Sequence, residues 1–230
     1  MKDKAASGNR VFEYAKSVTL SPLGYTYRRV SKGNRRLRIL PECRDTKSLF
    51  IHIPKTGGHS VGMALYKRDP FHFRFVDYAD YALQHGIDLN DYFKFSVVRH
   101  PVDRLISMYN YLHGLRYVNR AIVPLKLASN ILEFTNLWLE LRAKANGKRS
   151  VPFLYSQRDY VCNSLGSVAV DYVAKLEDIS SDFKYIASQV GYPEAKLMHV
   201  NRSKSRVGVD SEDREILTDL LAEDVSFFNY

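Results

Sequence analysis

The sequence predicts a single α/β domain with a mostly parallel sheet flanked by helices. Two observations support this prediction: short apolar runs alternate with longer segments of helical periodicity, and no Pro-, Gly- or Ser-rich linker divides the 230 residues. Strands that alternate with helices build crossover units, and crossover units produce parallel strands. We therefore expect one folded domain over residues 48–230, preceded by an arm over residues 1–47.

Three apolar runs are the predicted strands of this sheet. The first, 48–53, stops at Pro54, as is typical of a short buried strand. The second, 93–98, ends in an Arg-His-Pro sequence, and the third covers 168–176. A short fourth strand is expected at 197–200.

Helical segments follow these strands. One is expected over 60–67, and a second begins at Pro101, since proline lacks the N–H that has no partner in the first turn of a helix. Three further helices are predicted. The first covers 130–144, and the second is capped by Asp178 or Ser180 and ends at Gly191. The third begins near Ser211 and has an acidic first turn.

The arm is strongly basic. It holds twelve Lys and Arg against four Asp and Glu, which is most of the chain's net charge of +9. Such a cluster attracts polymers that carry phosphate, sulfate or carboxylate groups. A solvated arm without a ligand explains the same composition equally well, so both interpretations remain open.

The first chemical motif, IPKTGGHS over residues 53–60, joins a predicted strand to a predicted helix. Backbone N–H groups and the helix dipole at such a turn attract anions, and glycine lets the backbone approach the ligand closely. Lys55 adds a positive charge, and Thr56, His59 and Ser60 add donors. The motif is not a Walker A loop, in which the lysine follows the glycines. An ordinary strand-to-helix turn would explain the glycine pair alone.

The second motif covers residues 95–109 and repeats this design. Arg99 stands at the carboxyl end of the second strand, where open α/β sheets bind their ligands. Ser107 lies about two helical turns further along. Two anion sites of this kind in one domain fit a ligand with two separated phosphates.

Both motifs resemble those of the carbohydrate-type sulfotransferases, the family that includes heparan sulfate 2-O-sulfotransferase. IPKTGGHS resembles the 5′-phosphosulfate loop, and VRHPVDRLISMYNYL (residues 98–112) resembles the 3′-phosphate motif. The resemblance covers roughly residues 48–230 and implies a P-loop-like α/β fold. Four further segments agree in order with the family's pattern: QRDY (157–160), VDYVAKLEDISSDF (170–183), HVNRS (199–203) and DVSFFNY (224–230).

This resemblance implies that the sulfuryl donor is 3′-phosphoadenosine 5′-phosphosulfate (PAPS) and that the product is PAP. Lys55 would stabilise the charge on the leaving PAP, and Arg99 and Ser107 would hold the 3′-phosphate. The late loop over residues 203–207, which is basic at Lys204 and Arg206, would either close over the nucleotide or hold an acidic acceptor. No metal is expected, because the leaving group is already a stable phosphate. The residues that would cradle the 5′-phosphate are Lys55, Thr56, Gly57, Gly58, His59 and Ser60.

In-line transfer to a hydroxyl also needs a base, and histidine suits this role because its unperturbed pKa is about 6.5. Family members often carry a histidine between the two phosphate motifs, and His72 is nearest to that place. His85 and His59 remain open as alternatives. His59 also departs from the family, which usually has a small hydroxyl residue at that position.

The leading interpretation is a PAPS-dependent sulfotransferase whose acceptor is a hydroxyl, most often of a carbohydrate, and is in some cases anionic. Nucleic acid is not an expected partner of such an enzyme. The alternative is a non-catalytic protein on the same scaffold that binds polyanions, either nucleic acid or anionic glycan, through the arm. An ATP-dependent phosphotransferase fits less well, because no Mg²⁺-binding carboxylates stand in a recognisable context.

Composition and targeting signals exclude other classes. A hydrophobic content of 45% with 26% charged residues is ordinary for a globular domain. No apolar run approaches the roughly 18 residues of a membrane span, and Cys43 and Cys162 are expected to be free thiols. These features favour a bacterial cytoplasmic enzyme over the trimmed lumenal domain of a Golgi enzyme. The acceptor remains open, and it would be recognised by variable loops around 68–90 and 114–130 and by the arm. The oligomeric state also remains open.

Overall fold

The computed structural model describes residues 37–145, 151–197 and 208–230. This part of the chain contains a sheet of three parallel strands, in the order β1 (Ser48–Ile51), β2 (Phe93–Val98) and β3 (Tyr172–Lys175). All of β1 and the last four residues of β2 are buried. Burial on both faces explains their nearly continuous apolar sequences. The predicted α/β fold with a parallel sheet is confirmed.

Two strands are shorter than the apolar runs that predicted them. The Ser96 hydroxyl donates to the carbonyl of Ile51 at 2.8 Å, so a side chain occupies the acceptor at which β1 ends. Val168 forms an isolated antiparallel bridge with Cys162 instead of joining β3. Residues 198–200 of the expected fourth strand lie outside the described residues.

Helices pack against the sheet. Five of them confirm predicted segments, and among these the helix at Ile179–Val190 ends at Gly191, whose φ of 89° is left-handed. The described helices are α1 (Pro41–Asp45), α2 (Gly58–Tyr66), α3 (Phe75–Gln84), α4 (Pro101–Gly114), α5 (Val123–Leu127), α6 (Ile131–Ala145), α7 (Gln157–Val161), α8 (Ile179–Val190), α9 (Ser211–Leu220) and α10 (Ala222–Phe227). Short 3₁₀ turns lie at Leu89–Asp91, Arg120–Ile122, Pro152–Leu154 and Leu176–Asp178.

Helix α3 lies inside the 68–90 segment that was expected to be a variable loop. The Asp77 carboxylate accepts the backbone N–H of Arg74 at 3.0 Å and also its guanidinium Nε–H at 3.2 Å, which closes the first turn. This start was not recognised in the sequence because arginine is an unusual residue immediately before a helix.

Two apolar clusters hold the described elements together. The first surrounds the sheet with side chains from α2 and α8, and the second joins α4, α5, α6 and α9. Trp138, the chain's only tryptophan, lies in the second cluster and donates its indole N–H to the Phe153 carbonyl at 2.7 Å. Each large apolar side chain buried in this way contributes roughly 1.5–3 kcal/mol.

The packed domain begins before residue 48. Ile39, Leu40 and Cys43 are buried in the sheet cluster, and Cys43 is a free thiol on α1. The end of the segment expected to be an arm is therefore part of the folded domain, whereas residues 1–36 lie outside the described part. Among the described helices, none has the length and apolar character that crossing a bilayer requires.

Candidate active site

The two predicted anion motifs meet at one edge of the sheet. Lys55 follows β1 and Arg99 follows β2, and since these strands are parallel, their carboxyl ends lie side by side. Burial lowers the pKa of Lys55 from its usual 10.5, and the positive charge of Arg99 lowers it further. The two cations are therefore close enough to repel each other, which favours an anion between them.

Close packing explains the glycine pair in the first motif, which we call the Lys55 loop (residues 53–60). Gly57 has a left-handed φ of 78°, and a Cβ there would lie 2.6 Å from a Leu176 methyl group. A Cβ on Gly58 would lie 2.1 Å from the ring of His52. At Gly58 the loop therefore passes directly over a buried histidine. A larger residue at Gly57 or Gly58 would push the loop away from the side chain beneath it.

The hydroxyl of Thr56 forms a hydrogen bond within the Lys55 loop. The side chain is fully buried and donates to the Ile53 carbonyl at 3.0 Å. Its proton is thus engaged within the protein, and Thr56 offers an anion its backbone rather than the hydroxyl donor expected from the sequence. Ser60 lies in the first turn of α2, where its backbone N–H donates to the Gly57 carbonyl at 3.1 Å.

Lys55 rests on an aromatic ring that sequence analysis did not single out. Its Nζ lies 4.3 Å from the centre of the Tyr111 ring, a cation–π contact. Tyr111 is 42% exposed and stands on α4, and its ring lies 5.7 Å from that of Phe153. Lys55 itself has φ of 72°, an uncommon value for a residue with a side chain.

His72 lies next to the Lys55 loop in a defined tautomer. Its Nδ1 lies 3.1 Å from the His52 carbonyl. Because a carbonyl only accepts, Nδ1 carries the proton and Nε2 of the neutral ring has the free lone pair. Burial lowers the pKa of His72 below 6.5, and the charges of Arg104 and Lys55 contribute, although the hydrogen bond and the Asp69 charge oppose them. His72 is therefore neutral at pH 7 and able to accept a proton.

The other candidate histidines have different surroundings. His59 Nδ1 lies 3.4 Å from an Asp69 carboxylate oxygen, at the start of α2. His85 follows α3, where its ring stacks on Tyr81 at 3.9 Å and its Nδ1 donates to the Tyr81 carbonyl at 2.8 Å. His59 thus shares the site with His72, whereas His85 packs against the end of its own helix.

A buried arginine supports the floor of the site. Arg104, on α4, is only 3% exposed and donates from Nε to the Pro54 carbonyl and from Nη2 to the Tyr155 carbonyl, both at 3.1 Å. The bond to Pro54 thus fixes the start of the Lys55 loop. The place of Arg104 within the second motif was visible in the sequence, but a helical arginine is usually exposed, so nothing marked it as buried.

Comparison with known proteins identifies the family. The model of the sulfotransferase family matches residues 42–230. The chain belongs to the sulfotransferase family. No curated protein and no solved structure matches it. Family membership makes the protein a transferase of sulfuryl groups and agrees with the anion site at the sheet edge.

The second anion motif of this sulfotransferase is fixed by residues distant in sequence. The side chain of Gln157 bonds both backbone groups of Arg99, and the carboxylate of Glu177 accepts the N–H of His100 at 2.8 Å. Ser107 is buried on α4, further along the helix that follows Arg99. Gln157 lies in a segment that resembles the family, but sequence analysis gave it no role.

Two predictions concern the rest of the site. Arg206, expected to close over the nucleotide, lies outside the described residues, as do residues 199–203 of the late loop. Within residues 37–145, 151–197 and 208–230, no group of three or more His, Cys, Asp or Glu is arranged to hold a metal ion.

Proposed function

We propose that this sulfotransferase moves the sulfuryl group of PAPS to an acceptor hydroxyl by in-line transfer. The observation that carries the proposal is the meeting of Lys55 and Arg99 at one sheet edge, close enough to affect the pKa of Lys55. PAPS has phosphates at the 5′ and 3′ positions, so two separate cationic loops match its charge distribution.

The two loops have separate tasks in donor binding. The Lys55 loop offers the start of α2 and its glycine backbone to the 5′-phosphosulfate. Arg99 and Ser107 bind the 3′-phosphate, which distinguishes PAPS from adenylyl sulfate and ATP. Arg206 is a further proposed contact of the nucleotide.

His72 is the proposed base. Its Nε2 takes the proton of the acceptor hydroxyl while the acceptor oxygen bonds to sulfur and the bond from sulfur to the 5′-phosphate oxygen breaks. Lys55 offsets the negative charge that appears on this leaving oxygen. Activity therefore requires neutral His72 and charged Lys55, so it falls as pH drops through the His72 pKa, below 6.5, and as pH rises through the Lys55 pKa, below 10.5.

We propose a carbohydrate as the acceptor. The exposed ring of Tyr111, paired with Phe153, lies beside Lys55. Such a ring offers a flat apolar face with a polar tip, which suits the C–H face and hydroxyls of a sugar. The excess of cations in residues 1–47 favours an anionic acceptor over a neutral one.

Calorimetric titration tests the proposal directly. We expect PAP to bind more tightly than AMP and ATP, and Arg99→Ala to remove this preference while leaving the protein folded. Labelled PAPS is then offered with neutral polysaccharides, anionic polysaccharides and simple alcohols as acceptors. A folded protein that does not bind PAP contradicts the proposal, and salt-sensitive binding of polyanions by that protein would support the non-catalytic alternative.

A further inference from the structure

One buried side chain bonds both backbone groups of Arg99. Gln157 Oε1 accepts the Arg99 backbone N–H at 2.9 Å, and Gln157 Nε2 donates to the Arg99 carbonyl at 2.8 Å. Gln157 is completely buried. A primary amide is the side chain that both donates and accepts in this geometry. Gln157 therefore pairs with the Arg99 peptide in the way that a neighbouring strand would.

The position of Arg99 in the sheet shows why this pairing matters. The last residue pair between β2 and β3 joins Val98 to Lys175, so Arg99 lies just beyond the ladder. Its backbone orientation is no longer set by strand pairing. The two bonds to Gln157 replace the ladder at Arg99, whose side chain is proposed to contact the 3′-phosphate together with Ser107.

Gln157 is itself fixed by a buried carboxylate. Asp224, which is 6% exposed, accepts the backbone N–H of Gln157 at 2.8 Å and that of Arg158 at 3.1 Å. Burial raises the pKa of this carboxyl above its usual value, although the backbone N–H of Gln157 and the nearby charge of Arg104 oppose this effect. Hydrogen bonds thus connect Asp224 through Gln157 to the backbone of Arg99, and each member is buried or half-buried.

We propose that Gln157 is a positioning residue for 3′-phosphate recognition, which orients Arg99 by holding its peptide and is held in turn by Asp224. The inference rests on the proposed function, in which Arg99 binds the 3′-phosphate. Gln157 acts through Arg99 and does not contact the nucleotide. Its loss therefore affects ligands that carry a 3′-phosphate and spares those that lack one.

A comparison of PAP with AMP tests this role. Gln157→Met keeps the length of the side chain and removes both hydrogen bonds to the peptide. We expect it to weaken PAP binding about tenfold, the effect of losing one good hydrogen bond, and to leave AMP binding unchanged. The matched control is Ser156→Ala, which removes the side-chain cap of the same helix, α7, but no contact with Arg99. We expect this control to retain the preference for PAP.

A double-mutant cycle with Arg99→Ala separates positioning from general destabilisation. If Gln157 acts through Arg99, Gln157→Met causes no further loss of PAP affinity in the Arg99→Ala background. Equal weakening of PAP and AMP, or full additivity with Arg99→Ala, overturns the inference. If Gln157→Met fails to fold, Asp224→Asn provides a second test, because it weakens one of the two contacts with the backbone N–H groups of Gln157 and Arg158. We expect this variant to bind PAP more weakly and AMP as well as the wild type does. An unchanged preference for PAP overturns the inference. A wild-type protein without a preference for PAP contradicts the proposed function instead.

Discussion

The Lys55 loop and the residues between β2 and α4, which we call the Arg99 loop (residues 99–100), are similar in sequence design but are supported in different ways. In the Lys55 loop, several supporting contacts come from nearby residues: Thr56 bonds the Ile53 carbonyl, and Gly58 lies over the ring of His52. The Arg99 loop is held by Gln157 and Glu177, which are 58 and 77 residues away from their partners in sequence. The Lys55 loop is therefore organised partly by its own neighbours and partly by Arg104, which bonds the Pro54 carbonyl, whereas the Arg99 loop depends on distant segments.

This difference extends to the two cations. The ammonium of Lys55 rests on the Tyr111 ring, a contact that a flexible side chain readily exchanges for an anion. Arg99 is fixed at its backbone by two hydrogen bonds from one buried side chain. We infer that Lys55 stabilises the negative charge that develops on the leaving group during transfer, whereas Arg99 determines which ligand binds. The two residues are thus expected to affect different kinetic constants.

The largest effect is expected from Lys55→Met. Methionine keeps an unbranched stem next to Tyr111 but removes the charge that we propose stabilises the leaving phosphate. The loss of one preorganised electrostatic contact lowers kcat by about 10²–10³-fold, and steady-state kinetics with PAPS measures it. We expect PAP affinity to fall much less than it does in Arg99→Ala.

Lys184→Met is the matched control, because Lys184 lies exposed on α8. It should leave kcat unchanged. If Lys55→Met instead weakened PAP binding as strongly as Arg99→Ala and spared kcat, the contrast between a transfer cation and a selecting cation would be wrong.

The difference between the loops also explains what could be predicted from the sequence. Strand β2 was predicted with its observed bounds, and the Lys55 loop was recognised, because both depend on neighbouring residues. The roles of Gln157 and Asp224 could not be predicted, because nothing local links residue 157 to residue 99. The importance of Arg104 was also missed, since burial of a helical arginine depends on tertiary packing.

The next prediction concerns Arg104, which joins the supports of the two loops. Arg104→Met removes the donor that bonds the buried carbonyls of Pro54 and Tyr155, and it removes one of the two cationic charges that stabilise the ionised Asp224. Unsatisfied buried groups cost about 1–3 kcal/mol each, and removal of a buried charge offsets part of this cost. We expect the free energy of unfolding to fall by about 2 kcal/mol, as measured by urea denaturation.

Arg116→Met provides the comparison, since Arg116 is exposed and lies 5.3 Å from the Tyr117 ring. Its stability should stay near that of the wild type. Because Arg104 supports a floor common to both loops, its variant should weaken PAP and AMP binding together. Selective loss of PAP binding would instead place Arg104 with the Arg99 loop alone.

The smallest expected effect is a shift in the acid limb of the pH–activity profile. The negative charge of Asp69 raises the pKa of His72, against the larger lowering by burial. Asp69→Asn removes this charge, so the pKa of His72 falls further and the ring stays neutral at lower pH. We therefore expect the acid limb of kcat to move to lower pH, with Asp80→Asn, an exposed aspartate on α3, as the control that leaves it in place.

The same measurement distinguishes the two histidines near the Lys55 loop, since Asp69 also lies 3.4 Å from His59. If His72 is the base, His59→Gln keeps the acid limb, and Asp69→Asn still moves it in that background. His72→Gln should remove the limb together with most of the activity. An acid limb that survives in His72→Gln and disappears in His59→Gln would assign the base to His59, and the Lys55 loop would then supply both the transfer cation and the base.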